Sequence, residues 1–438
     1  MRQIVRRQFL RESTAMAAGL AALEARNARA EDAPASRKAG PNDTVRIAVI
    51  GLRGRGQEHL AGYAEQKDAR VTAICDVDRD VLGKTKEKMV SRGTPEPKLV
   101  ADLRRVFDDK DIDAVSIAMP NHWHALAAIW ACQAGKDVYV EKPVSHNVSE
   151  GRRMVEAARK YDRIVQTGTQ CRSHQGIKDA VEFLRSGKLG KVYMAKGLCY
   201  KPRGSIGHKA DAPVPQGVDY NLWTGPAPER PFNPNRFHYN WHWFWDYGNG
   251  DLGNQGIHQM DLARWGLGKS ELPKAVQAAG GRFGYSDDGQ TPNTLLATYE
   301  FDDCELQFEV RGLPTNDEAG VRVGNLFFGT EGVLALTSYT SWYTLLGPKM
   351  EKGPGGNGGG DHFANFLKAV KSRDVKSLSA DIEEGHLSSA YCHLGNIAYR
   401  LGRKLQVNPS TESFVNDSEA DTYLTREYRA PFVVPTQV

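Results

Sequence analysis

The sequence predicts an α/β protein: an N-terminal doubly wound parallel sheet, then an α+β domain on a large, mainly antiparallel open sheet. Three observations predict it. Between residues 43 and 170 short apolar runs alternate with helical stretches, strand then helix, across short loops. The first apolar run closes on Gly51-Leu52-Arg53-Gly54-Arg55-Gly56, a glycine loop of the kind that feeds a strand into a helix. From residue 191 onward, apolar and polar residues alternate without regular helical crossovers, a pattern of antiparallel pairing.

The elements follow in order. Residues 1–30 read as a leader: Arg6-Arg7-Gln8-Phe9-Leu10-Arg11 resembles a twin-arginine export signal, and a mildly apolar stretch runs from Ala15 to Leu23. Ala28-Arg29-Ala30 then offers small residues around a cleavage point, so the mature protein is expected to be periplasmic or otherwise exported. The alternative is a basic, alanine-rich helix that stays attached. A polar linker covers 31–42. In the first domain, 43–170, strands are predicted at 45–50, 70–75, 113–118, 137–140 and 163–167. Helices are predicted near 55–66, 78–91, 102–108, 122–134 and 147–160. In the second domain, 171–438, strands are predicted at 191–199, 274–283, 293–300, 304–311, 321–328 and 332–337. Gly353 to Gly360 reads as a flexible linker or turn, followed by helices at 361–372 and 381–403 and an irregular tail. Residues 201–250, with Trp241-His242-Trp243-Phe244-Trp245, are too aromatic for disorder and are expected to form an ordered loop over the site.

The whole chain narrows the function classes. Its 438 residues, 40% hydrophobic and 25% charged, suit two globular domains, and no apolar stretch is long enough to span a bilayer. The formal charge of +4 resides in the leader, which holds six arginines against two glutamates; the rest of the chain is balanced. No electrostatic footprint for nucleic acid remains. The six cysteines are scattered without any paired spacing, so they read as core and none is assigned to chemistry.

Four motifs carry chemistry. In the glycine loop, Gly51 permits the tight turn, Gly54 lets backbone approach a pyrophosphate, and Gly56 permits close helix packing. The helix that follows supplies free N–H groups, while Arg53 stands where the common fingerprint has its second glycine and Arg55 lies beside it. Asp76 ends the second strand, where a carboxylate accepts from ribose hydroxyls and repels a 2′-phosphate. This favours NAD; Arg79 keeps NADP as the alternative, and the rival Asp78 reads as a helix N-cap. Pro120-Asn121-His122-Trp123-His124 follows a strand and reads as a polar wall for the nicotinamide end. Its two histidines find no third ligand at a matching spacing, so no metal is assigned. Val138-Tyr139-Val140 closes on Glu141-Lys142-Pro143, at the strand end where ligands sit in parallel sheets. A lysine there can aim its ammonium at cofactor and substrate, and the following proline suits a sharp turn, cis included. In the run Asn254 to Asp261, positions 254, 258 and 261 share one face if the segment is helical. His258 there could take a hydroxyl proton while hydride leaves the same carbon; taken alone it reads as a packing residue.

Together these residues resemble the Gfo/Idh/MocA oxidoreductase family over roughly residues 43–405. The resemblance rests on the glycine loop, Asp76, Pro120-Asn121-His122, Glu141-Lys142-Pro143, Gly168-Thr169-Gln170 with Arg172, and Gly256-x-His258-x-x-Asp261. It implies a Rossmann domain, an open second sheet, and oxidation or reduction of a sugar or polyol carbon. It places the family's lysine at Lys142 and histidine at His258, with Glu141, His124 and Gln170 beside the nucleotide. Asn254 stands where an aspartate is common, and an amide cannot accept a proton. The expected roles are polarisation by Lys142, base catalysis by His258, orientation of His258 by Asp261, and a sugar pocket lined by Arg172, Trp241 and Trp243. The leader resembles that of a periplasmic family member that keeps its nucleotide through the cycle. The resulting expectation is an exported NAD-dependent oxidoreductase acting on a secondary hydroxyl of a sugar, polyol or glycoside, with tightly held cofactor. The alternative is redox-neutral glycoside cleavage or epimerisation through a transient keto-sugar, and a third reading is a non-catalytic sugar or nucleotide sensor. Expected partners are the sugar or glycoside, the twin-arginine machinery and further copies in a homo-oligomer, without nucleic acid or a stable membrane anchor.

Overall fold

The computed structural model describes residues 38–40 and 42–438; the leader 1–30 lies outside the described residues, as does most of the linker 31–42. Six strands form the first sheet: β1 (Val45–Ile50), β2 (Ala69–Cys75), β3 (Lys98–Val100), β4 (Ala114–Ile117), β5 (Asp137–Val140) and β6 (Val165–Thr167). All pairings are parallel, in the order β3-β2-β1-β4-β5-β6. The strands read as continuous apolar runs because helices cover both faces: β4 and β5 are buried throughout. Strand order reverses between β1 and β4, and ligands bind outside the strand ends at such a switch point. Side chains set the helix starts. Asp78 caps Arg79–Ser91 by accepting from the Asp80 and Val81 amides, and Asn147 caps Val148–Lys160 by accepting from the Glu150 amide.

The second domain contributes ten strands. In chain order they are β7 (Val192–Cys199), β8 (Ala275–Gly281), β9 (Thr294–Glu300), β10 (Glu305–Arg311), β11 (Val323–Gly329) and β12 (Gly332–Leu336), then β13 (Ser341–Leu346), β14 (Glu351–Asn357), β15 (Leu405–Asn408) and β16 (Ser413–Phe414). The sheet runs β14-β13-β12-β11-β7-β10-β9-β8-β15-β16 and is antiparallel except where β10 pairs with β7. Strict alternation in β10 turns Leu306, Phe308 and Val310 inward, where they share a core with Ile257 and Met260 of helix Gly256–Gly266 and Leu394 of helix Ile382–Leu401.

Several local expectations fail, among them β13, which lies beyond the last expected strand at 332–337. β3 was missed because three residues carry no periodic signal. Helix Gln175–Arg185 was missed although Ile177, Ala180, Val181 and Leu184 show the helical spacing and are buried. Residues 353–357 of the glycine-rich run expected as a linker or turn instead belong to edge strand β14, paired with β13 through backbone groups that glycines supply as well as any residue, and only 358–360 connect onward to helix His362–Ser372. The tail is irregular only from 425 onward: before that it adds β15, β16 and two short helical turns, and its irregular end returns to bury Phe432 against Trp123 and Trp130 of the first domain. The insert 201–250 is ordered, with Trp223, Phe237, Trp241, Phe244 and Tyr247 in an apolar cluster of their own.

Candidate active site

A cavity of about 380 Å³ opens between the glycine loop and the aromatic insert. Gly51 has φ +84°, and a Cβ there would stand 2.6 Å from the Ala118 carbonyl oxygen. A Cβ on Gly56 would stand 1.9 Å from the Gly51 carbonyl oxygen, so loop and helix fit only without side chains at both positions. At Gly54 a Cβ would meet nothing within 4 Å, leaving the backbone bare. Asp76 sits at the end of β2, accepting at Oδ2 from the Leu52 amide (2.9 Å) and at Oδ1 from the Asp78 amide (3.0 Å). Each oxygen keeps a lone pair for a hydroxyl. Burial raises its pKa, and those two amides oppose the rise. Glycine loop, bare backbone and strand-end carboxylate are the parts that hold a dinucleotide, and they are brought together here. Asp78, the rival carboxylate, is the N-cap expected of it and also lines the cavity, 3.9 Å from Arg53.

Glu141 and Lys142 end β5 on the opposite wall. The Glu141 carboxylate accepts from Arg55 Nε at 2.8 Å and lies 3.1 Å from His59 Nε2; His59 Nδ1 in turn lies 2.9 Å from Ser116 Oγ. Desolvation would raise its pKa, but the Arg55 charge and the His59 contact hold it well below the usual range. Glu141 therefore ties the end of β5 to the first turn of the glycine-loop helix. The Lys142–Pro143 peptide is cis. Lys142 Nζ donates to the Asn254 carbonyl at 2.8 Å, spanning from the first domain to the second. Burial lowers its pKa, while the Glu141 charge acts the other way.

The helical run is split at Gln255, into Gly250–Asn254 and Gly256–Gly266. Asn254 lines the cavity. His258 is buried, its ring 5.2 Å from that of Tyr339 and its Nδ1 without a hydrogen-bond partner among the described residues. Burial, then the Lys142 charge, holds its pKa well below the usual histidine value. Asp261 does not orient His258. Its carboxylate accepts from Arg172 Nε (2.8 Å) and Ser388 Oγ (2.7 Å). Arg172 accordingly does not line the pocket: it is buried beneath the helix, paired also with Glu384 at 3.0 Å and stacked on Trp265. A buried guanidinium needs such partners, and they pull it off the site.

His122 is also displaced from its expected place. It is buried with Nε2 2.9 Å from the Trp223 carbonyl oxygen, packed on Trp223 and Tyr247, outside the cavity wall. Pro120, Asn121 and His124 do line the cavity. Each ring nitrogen of His124 lies 2.6 Å from a carbonyl oxygen, of Pro143 and of Met119, joining the two loops at the sheet edge. Gln170 opens a short turn after β6, with Oε1 buried and unpartnered, and does not reach the cavity wall. Trp241 lines the cavity, whereas Trp243 lies under Arg203, whose guanidinium pairs with the buried Asp251 at 2.7 Å. Sequence reasoning did not single out Phe237, His238 and Tyr239, which line the cavity, or Tyr339 beside His258. The aromatic richness of the insert was the signal for the first three; Tyr339, in the turn between β12 and β13, carried none.

Comparison with known proteins agrees with this geometry. The family model GFO_IDH_MocA, described as the oxidoreductase family's NAD-binding Rossmann fold, matches residues 45–169, and the family's C-terminal alpha/beta domain model matches residues 192–434. A glycosyl hydrolase family 109 protein of Shewanella pealeana is 32% identical over 166 residues, 35% of this chain and 36% of its own length. The myo-inositol 2-dehydrogenase of Thermotoga maritima is 32% identical over 152 residues, 35% of this chain and 44% of its own length. The chain thus matches less than half the length of each. The WlbA dehydrogenase of Bordetella pertussis, solved with NADH and UDP-GlcNAcA, has the same fold at 18% identity and a TM-score of 0.62, covering 83% of this chain and 99% of that one. With both domains matched and the nucleotide cavity in place, this chain belongs to the Gfo/Idh/MocA oxidoreductase family, and its N-terminal domain is an NAD-binding Rossmann fold.

Proposed function

We propose that this protein is an exported NAD-dependent oxidoreductase that acts on a secondary hydroxyl of a sugar, polyol or glycoside and holds its nucleotide tightly. One observation carries the reading: Lys142 Nζ reaches across the domain boundary to the Asn254 carbonyl, one break before the helix that carries the buried His258, whose Nδ1 has no hydrogen-bond partner among the described residues. NAD bound in the cavity supplies a two-electron acceptor for a substrate C–H. Lys142 gives its hydrogen bond to a substrate hydroxyl in place of the Asn254 carbonyl, and its lowered pKa strengthens that donation. His258, kept neutral at physiological pH, is in the form that takes the hydroxyl proton at its imidazole. Asn254 lines the pocket as an amide and positions Lys142 through its backbone oxygen. Tight retention is supported by the insert: Phe237, His238 and Tyr239 line the same cavity as the glycine loop, with His238 Nε2 3.2 Å from Arg53 Nη1. Export rests on Arg6-Arg7 in the leader, outside the described residues. A cytoplasm–periplasm fractionation tests it: Arg6→Lys with Arg7→Lys is expected to hold the protein in the cytoplasm, and unchanged export overturns the signal.

Mass spectrometry of the nucleotide retained on purification, followed by a glycoside panel, tests the reaction. A keto-sugar product with reduced nucleotide supports net oxidation. A second reading, redox-neutral cleavage of a glycoside, is favoured by the likeness to glycosyl hydrolase family 109; a cleaved glycoside without net nucleotide reduction would select it.

A further inference from the structure

A second cavity, about 430 Å³, adjoins the first, within the range of about 300–1,000 Å³ that small-molecule sites occupy. A single hydrogen bond links their walls: Asn121, on the nucleotide side, donates through Nδ2 to Asn249 Oδ1 at 2.9 Å, and Asn249 lines the second cavity. Parts of the chain remote in sequence build it: His146 just past Lys142-Pro143, Trp245 at the end of the insert, Arg400 of helix Ile382–Leu401, and Tyr423 and Arg426 of the tail.

The polar groups there are incompletely satisfied. The Arg400 guanidinium lies 5.1 Å from the Trp245 ring centre and 4.5 Å from that of Tyr423, and it makes no hydrogen bond or ion pair among the described residues. Stacking of this kind holds a guanidinium plane in place and leaves its N–H edges free for an oxyanion. Arg426 donates Nη1 to the Asp246 carbonyl at 2.9 Å and leaves Nε and Nη2 without a hydrogen bond. Asn396 Oδ1 and His146 Nε2 are buried and without a partner among the described residues. Three carboxylates face these cations. Glu150, 3.7 Å from Arg426 Nε, already accepts from the His146 amide and the Asn147 side chain. Asp246 is paired with Arg230 at 3.0 Å, and Glu427 is exposed at the rim. Arg400, open to solvent at the mouth of the cavity and within reach of the Asp246 charge, has no hydrogen bond or ion pair of its own among the described residues.

We propose that this second cavity binds a sugar or polyol that carries a carboxylate. The carboxylate sits on the Arg400 fork, and the ring packs beside Trp245 and Tyr423. A neutral sugar would leave Arg400 unmatched, and Arg–carboxylate pairing is the stronger for being charged and bidentate. The inference holds whichever reaction the first cavity performs.

Calorimetric titration of the NAD-loaded protein with glucuronate, and with glucose as the neutral control, tests it. Glucuronate is expected to bind about tenfold or more tightly than glucose, and Arg400→Gln to lose about tenfold. Tyr423→Ala, at a half-buried position, should weaken glucuronate as well, and Lys142→Ala should leave it unchanged. Equal affinity for the two sugars, or no binding of either, overturns the site without recourse to any variant. Full retention in a folded Arg400→Gln protein also overturns it, and loss in Lys142→Ala would assign the binding to the nucleotide cavity instead.

Discussion

The end of β5 and helix Gly256–Gly266 each present a basic group beside a carboxylate, and the two regions use the pair differently. At Glu141-Lys142 the carboxylate is locked by Arg55 and His59 yet stays in the cavity wall, where its charge still favours the lysine ammonium. At His258 and Asp261 the carboxylate is engaged by Arg172 and Ser388 instead of by the histidine, whose pKa burial and the Lys142 charge lower against the opposing Glu141 charge. Consecutive residues at a strand end can share a site through a turn, whereas positions three apart on a helix share a face only as broadly as their partners allow. The first pair therefore combines anchoring with chemistry, and the second divides them.

The largest effects should fall on the two basic groups, Lys142 and His258. Lys142→Ala and His258→Ala are each expected to lower kcat by about 10²–10⁴, measured on the substrate that the glycoside panel identifies. Calorimetry should find NAD affinity nearly unchanged in both, because the glycine loop and Asp76 hold the nucleotide. If His258→Ala keeps near-normal turnover, the second region is structural throughout and the comparison breaks. Asp261→Ala should strike stability instead, costing about 3 kcal/mol in urea unfolding because it leaves the buried Arg172 guanidinium with Glu384 alone and Ser388 without its acceptor. Turnover of its folded fraction should stay close to that of the parent, and a selective loss of kcat would restore Asp261 to the site. A smaller effect belongs to Asp76→Ala, expected to weaken NAD by about 1–3 kcal/mol and to narrow its advantage over NADP in titration.

The finest test adds a charge to the second region. His258 has a lowered pKa, so it is neutral around pH 7 and its acid limb lies below the ordinary histidine value. Asn254→Asp would place a carboxylate in the cavity wall, favour the imidazolium, and move the acid limb of the kcat/KM profile to higher pH. No movement would mean that the 254 side chain and the His258 ring do not sense each other across the break at Gln255.

Much of this was legible before any coordinates. Buried parallel strands and the helices between them announce themselves by local periodicity, so β1, β2, β4, β5 and β6 and their crossovers are readable. The glycine loop and strand-end carboxylate are equally local, because steric room at Gly51 and Gly56 depends on residues within a few positions and one neighbouring strand. Arg172, Asp261 and His122 were misread for the opposite reason. Each is polar and buried, so its role is set by whichever distant group satisfies it: Asp261 for Arg172, Ser388 for Asp261, the Trp223 carbonyl for His122.

By itself, then, the sequence determined two domains, a nucleotide loop, and a lysine and histidine of matching chemistry, because periodicity, turn residues and side-chain type are local properties. Tertiary structure alone decided that Lys142 reaches Asn254, that Asp261 anchors rather than assists, and that tail and insert enclose a second polar cavity beside Asn249. Those outcomes depend on desolvation and on pairings between residues far apart along the chain, such as Asn147 with Tyr428, 281 positions on, which no window along the chain can contain.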